Sequence, residues 1–122
     1  MKPELPTLIE KYIRATNSHD AASFIGHFAD NAVVQDINRE FRGTAAIKAW
    51  SDREIFDARV TLEVTDFANR DGEAIVTAKV DGTFDRTGLP DPLILVHYFA
   101  VKNDKIVRLR IALPTADESK IT

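Results

Sequence analysis

The sequence predicts one α+β domain, with helices crowded into the first half of the chain and a mainly antiparallel sheet in the second. Three observations lead there. Apolar residues recur first at helical spacing and later at a spacing of two. The later half holds four long alternating runs joined by short polar turns, the pattern of an antiparallel meander. A chain of 122 residues is long enough to bury one core and too short for two domains. The domain is expected to span residues 1–114, with residues 115–122 as a polar tail.

The elements follow in order. Leu5, Leu8, Ile9, Tyr12, Ile13 and Thr16 share one face of a first helix, with Pro6 near its start, where a missing N–H costs nothing. Asn17-Ser18-His19 ends it, and Asp20 is a good N-cap for a short second helix with Phe24, Ile25 and Phe28 on its apolar face. Gly26 weakens that helix by ~1 kcal/mol against alanine. Ala32 to Ile37 reads as a strand, Asn38-Arg39 as a turn and Glu40-Phe41-Arg42 as its return. Thr44 is the expected N-cap of a third helix that carries Ile47, Trp50 and Glu54 along one side. From Val60 the period is two. Asn69-Arg70-Asp71-Gly72 is a strong turn, Arg86 to Pro92 a loop, Leu93 to Val101 a strand and Ile106 to Leu113 the last strand. Strands this long twist and coil, so covering helices can leave a cavity at one end.

Composition narrows the function. Without cysteine there is no disulfide, no thiolate zinc site and no Cys nucleophile. A net charge of −3, from 16 basic and 19 acidic residues, argues against nucleic acid as a partner, which needs a concentrated basic surface. No apolar run approaches the ~18 residues of a membrane helix, and the N-terminus lacks a secretory signal's apolar stretch, so a soluble cytoplasmic protein is expected. His19 and His27 have no tight metal-ligand spacing, and no metal is expected. Asp81 and Asp85 bracket a strand end without clear paired-carboxylate geometry. No phosphate or dinucleotide loop is present, so no cofactor is implied.

Three residues stand out: Tyr12 on an apolar helix face, Asp36 at the end of the apolar run Ala32-Val33-Val34-Gln35, and Trp50 on the inner side of the third helix. Asp36 also has a plainer reading, as a turn residue or as the partner of Arg39 or Arg42.

The stretch KYIRATNSHDAASFIGHFADNAVVQDINREFRGTAAIKAW resembles the N-terminal half of bacterial ketosteroid isomerases and of the wider SnoaL-like, nuclear-transport-factor-2-like superfamily. VDGTFDRTGLPDPLILVHYFAVKNDKIVRLRI looks like the closing strands of small SnoaL-like proteins, so the resemblance covers residues 6–113. It implies a cystatin-like cone: three N-terminal helices on a strongly curved, mainly antiparallel sheet. It places Asp36 where the isomerase has its general base and Tyr12 where it has an oxyanion-hole tyrosine. Gapless counting from Lys105-Ile106-Val107 places the second oxyanion donor on Val96, which cannot donate a hydrogen bond. The isomerase's supporting tyrosine falls on Ser51. Tyr98 points the same way as Val96 and could substitute; a slip of one residue would bring His97 inward instead.

The resemblance therefore implies a pocket for a small apolar ligand, with Asp36 and Tyr12 catalytic and Trp50, Val96, Tyr98, Leu109 and Ile111 contacting substrate. The class of reaction would be isomerisation or cyclisation of a carbonyl-bearing, steroid- or polyketide-like molecule. The vacancy at Val96 favours an alternative, a non-catalytic ligand-binding or dimerisation module. Water addition to an epoxide needs a set of Asp, Asn and Arg that the sequence does not assemble. A homodimer is expected through an open sheet face, on which Leu95, His97 and Phe99 would lie, with His97, Phe99, Arg108 and Arg110 as contacts.

Overall fold

The computed structural model describes residues 5–85 and 87–114. The expected polar tail lies outside the described residues. Helices α1 (Thr7–Asn17) and α2 (Ala21–Gly26) precede a hairpin of β1 (Phe28–Asp36) and β2 (Arg39–Arg42). Helix α3 (Thr44–Ser51) runs into a π-helical turn, Asp52–Phe56, and the chain closes with β3 (Thr61–Arg70), β4 (Glu73–Asp81), β5 (Leu93–Lys102) and β6 (Lys105–Ala112).

Local chemistry accounts for most element boundaries. Helix α1 buries Ile9, Tyr12, Ile13 and Thr16 on one face and carries the exposed Arg14–Glu10 ion pair on the other. Asp20 caps α2, accepting from the Ser23 backbone N–H at 3.1 Å and from its hydroxyl at 2.8 Å. Two sequence expectations are corrected. Gly43, not Thr44, is the N-cap of α3. Its φ of +83° resists a side chain, and its N–H donates to the Ala32 carbonyl at 2.8 Å, tying the helix start to β1. Phe28 belongs to β1 rather than to α2. The Ile106 N–H donates to the His27 carbonyl at 2.8 Å, and Phe28 pairs with Ile106. This long-range pairing outweighs the local helical spacing that groups Phe28 with Phe24.

The six strands form one mixed sheet in the order β2-β1-β6-β5-β4-β3. The expected four-strand meander is present as β3 to β6, and the hairpin joins it through a parallel pairing of β1 with β6. The β5–β6 ladder is bulged: Val101 pairs with Ile106, but Ala100 pairs with Arg108, leaving Val107 as an extra residue on β6. Such a slip exchanges the two faces of everything beyond it. His97 and Phe99 therefore face the helices and cannot be contacts on an open face, nor does Leu95 lie there. Phe99 is fully buried, with its ring centroid 5.1 Å from that of Tyr12. Arg108 and Arg110 remain on the outer face, where Arg108 pairs with Glu73 at 2.8 Å and Arg110 covers the Tyr98 ring at 3.8 Å.

Helices and inner sheet face enclose a core with Ile9, Phe24, Val34, Ile47, Val76, Phe99, Ile106 and Leu109 fully buried. Each such side chain stabilises the fold by ~1.5–3 kcal/mol relative to exposure. Asn17 fastens the end of α1 to the start of β3: its Nδ2 donates to the Leu62 carbonyl at 2.9 Å and its Oδ1 accepts the Leu62 N–H at 2.7 Å. Asn17→Ala removes both of these part-buried bonds, although Asn17 itself is exposed. It should cost ~1–3 kcal/mol in urea denaturation, with the native circular dichroism unchanged.

Candidate functional site

Between α1, α3, the π-helical turn and the inner face of the sheet lies a cavity of about 480 Å³, within the size range of small-molecule sites. Its walls are largely aliphatic, among them Val60, Leu62, Val80, Leu93 and Leu95. Polar groups occupy it in two sets, one deeply buried and one partly exposed.

The buried set comprises Tyr12, His97 and Thr16, whose hydroxyl donates to the Tyr12 carbonyl at 3.0 Å. Tyr12 is 1% exposed, and its ring packs against Phe24, Phe28 and Phe99. Burial, followed by the negative charge of Asp36, pushes its hydroxyl well above the ordinary phenol range, so it stays protonated and able to donate. His97 is 3% exposed, and its Nδ1 has no hydrogen-bond partner among the described residues. Burial pushes its imidazole down to about 4, against a weaker opposing effect of the Val76 and Leu95 carbonyls, so the ring is neutral at pH 7.

The partly exposed set centres on Arg39. Its guanidinium reaches Asp36 Oδ2 at 2.7 Å and both oxygens of Glu54, at 2.7 and 2.5 Å. Glu54 and then Asp36 hold Arg39 firmly protonated, and Arg39 holds the Glu54 carboxyl below its ordinary range. The Trp50 indole N–H also donates to Asp36 Oδ2, at 3.1 Å. Both contacts on Asp36 thus use one oxygen; Oδ1 has no hydrogen-bond partner among the described residues.

The π-helical turn builds this end of the cavity. The Asp57 N–H donates to the Asp52 carbonyl at 2.9 Å, and the wider turn brings three consecutive residues, Arg53, Glu54 and Ile55, onto the cavity. The sheet sets the opposite wall. Asp36 pairs with Ile111, and Ile111 pairs with His97, so three adjacent strands carry them in one row.

The sequence-derived residues divide accordingly. Tyr12, Asp36, Trp50 and Ile111 line the cavity. Val96 and Tyr98 do not: Leu93, Leu95 and His97 line it, and alternate residues of a strand point to opposite faces. Counting without a gap crosses the bulge at Val107 and lands one residue away. Leu109 packs in the core instead of lining the cavity. Ser51 is buried and turns its hydroxyl to the Lys48 carbonyl. Arg39, named as a possible partner of Asp36, is its partner, whereas Arg42 pairs with Glu40. Sequence reading missed Arg53 and Ile55, and it offered an inward His97 only as the result of a one-residue slip, which the bulge at Val107 supplies. The apolar alternation of Leu93 and Leu95 was the available signal for His97.

A helix-backed mixed sheet holding an apolar cavity with a carboxylate and a tyrosine on its wall is an α+β architecture of the nuclear-transport-factor-2-like, cystatin-like type. Residues 9–109 match the SnoaL-like domain, and the chain belongs to that family. Among solved structures it is similar to a Sinorhizobium meliloti protein provisionally assigned as a polyketide cyclase. The two are 30% identical over 88% of this chain and 95% of that one, with a TM-score of 0.79. A Mycobacterium tuberculosis protein solved with estradiol-17β-hemisuccinate shares the fold at 17% identity, covering 91% of this chain and 93% of that one, with a TM-score of 0.72. So does a Kribbella flavida protein provisionally assigned as a ketosteroid isomerase, at 17% identity, 89% and 76% coverage and a TM-score of 0.72. No curated protein matches the chain. Among the described residues no helix is long and apolar enough to cross a membrane.

The buried His97 gives the fold a measurable pH dependence. Its ordinary value is ~6.5 and its folded value about 4. Between these the unfolded chain binds a proton that the folded protein refuses, so stability falls as pH drops through this window, by about 3 kcal/mol in all. Denaturation midpoints measured from pH 7 to pH 4 should show this loss, and His97→Leu should flatten the curve relative to wild type.

Proposed function

We propose that this protein binds a flat, mainly apolar, carbonyl-bearing molecule of steroid or polyketide type and moves a proton on it. The observation that supports this reading is the placement of Asp36 and Tyr12 on one largely aliphatic cavity. Arg39 and Trp50 fix Asp36 through Oδ2. Oδ1 is then the oxygen that takes a proton from the carbon beside the carbonyl. The electron pair left behind moves onto the carbonyl oxygen, and the protonated Tyr12 hydroxyl donates a hydrogen bond to the resulting enolate. Return of the proton to a different carbon gives isomerisation; attack of the enolate carbon on a second carbonyl of the same molecule gives cyclisation. The relative solved with an estradiol ester supports the ligand class.

A second reading has its own support. The double anchoring of Asp36 Oδ2 also suits a purely positional carboxylate, in a module that binds ligand without transforming it.

Exchange of ketone α-protons for deuterium, followed by NMR in D₂O, separates the two without knowledge of the natural substrate. Wild type should accelerate exchange of a bound planar ketone. Asp36→Asn should lower the catalysed rate by ~10²–10⁴-fold and Tyr12→Phe by ~10²–10³-fold. Equal exchange rates for wild type and Asp36→Asn on a ketone that binds both would remove Asp36 as the base.

A further inference from the structure

His97 has no part in the proton transfer proposed above, yet of the two buried polar groups left without a hydrogen-bond partner among the described residues, His97 and Tyr98, it is the one that lines the cavity. It is 3% exposed, it lines the cavity, and its Nδ1 has no partner among the described residues. A buried ring nitrogen left in that state carries a desolvation cost that a hydrogen bond would relieve. The Val76 and Leu95 carbonyls lie near enough to act on the ring, but neither completes a hydrogen bond to Nδ1. The Phe99 ring lies parallel to it at 6.3 Å, and Ile111 is its partner across the β5–β6 ladder. The open space beside the ring is the cavity itself.

Two further relations define what fits there. Tyr12 packs on the same Phe99 ring as His97, so both polar groups belong to the buried end of the cavity. Asp36, Ile111 and His97 occupy one row across three strands. Neighbouring strands lie ~4.8 Å apart, which separates the Asp36 and His97 backbones by about 10 Å, a gap suited to a flat fused-ring skeleton lying over Ile111. The charged lining residues Asp36, Arg39, Arg53, Glu54 and Asp85 all retain solvent exposure, unlike Tyr12 and His97.

We infer that His97 is the anchor for an oxygen function, a carbonyl or a hydroxyl, at the buried end of a neutral, flat, mainly apolar ligand. The inference rests on the cavity being a ligand site, but not on Asp36 acting as a base. A neutral imidazole has one N–H and one lone pair, so it meets a carbonyl as donor or a hydroxyl as acceptor. It offers no full charge to a carboxylate or an ammonium group. Burial, which keeps the ring neutral at pH 7, agrees with this ligand class.

Three probes of matched shape test the inference: 2-acetylnaphthalene, 2-naphthol and 2-ethylnaphthalene, titrated into wild type and His97→Leu. Wild type should bind one or both oxygenated probes about tenfold more tightly than the hydrocarbon, the ratio expected of one buried hydrogen bond. His97→Leu should lose that preference while keeping its affinity for 2-ethylnaphthalene. In wild type labelled with ¹⁵N-histidine, the preferred probe should move the His97 Nδ1 resonance, and the direction of movement distinguishes a donating from an accepting nitrogen. Retention of the preference by folded His97→Leu overturns the inference. So does an unmoved Nδ1 resonance in wild type, which decides alone if the variant fails to fold. Binding of none of the three probes refutes the ligand site and this inference with it. Binding of 2-acetylnaphthalene without accelerated exchange of its methyl protons counts against the proton transfer only and leaves His97 as the anchor.

Discussion

The parallel pairing of β1 with β6 is the constraint on which the site depends. It sets Asp36 beside Ile111, with the Ile37 N–H donating to the Ile111 carbonyl at 2.9 Å. β6 in turn sets Ile111 beside His97. Without that pairing the hairpin would be attached only through its helical neighbours, and no ladder would fix the distance from Asp36 to the rest of the sheet. The same pairing draws Phe28 out of helical spacing and into β1, where its ring lies 6.1 Å from that of Tyr12. One strand alignment thus positions the carboxylate and helps to pack the tyrosine.

A second level of organisation acts on the carboxylate itself. Arg39 lies between two acids, Asp36 and Glu54, and Trp50 adds an N–H to the oxygen that Arg39 already holds. Arg39 is nearly half exposed, so its ion pairs contribute little to stability, in the range of ~0–1 kcal/mol for exposed pairs. Their effect is orientational. They take up one carboxylate oxygen, and the π-helical turn brings Glu54 to the point where it completes the clamp. A regular α-helix through Asp52–Phe56 would rotate Glu54 and Ile55 relative to the cavity, since each residue of an α-helix turns by ~100°.

Much of this was legible in the sequence, and the failures have identifiable causes. Helical and period-two spacing located the helices and the meander, because burial of one face imposes those periods directly. Asp36, Tyr12 and Trp50 were legible because a polar atom on an otherwise apolar face is conspicuous. Val96 and Tyr98 were misplaced because a bulge adds one residue without altering composition; the run Lys105-Ile106-Val107-Arg108 reads equally well with or without it. The π-helical turn is invisible for a similar reason, since its residues suit an ordinary α-helix. Gly43 as the cap of α3 was missed because Thr44 is the better capping residue by type, whereas the backbone there demands a positive φ.

His97, not Val96 or Tyr98, shares the cavity face with Ile111 and Asp36. Nuclear Overhauser effects among assigned side chains measure this directly. Strong contacts are expected between the His97 imidazole protons and the methyl groups of Ile111 and Leu95, with the Tyr98 ring showing contacts to the Arg110 side chain. Contacts from the Tyr98 ring to cavity-lining methyl groups such as those of Leu62 or Val80, with His97 showing none, would contradict this placement.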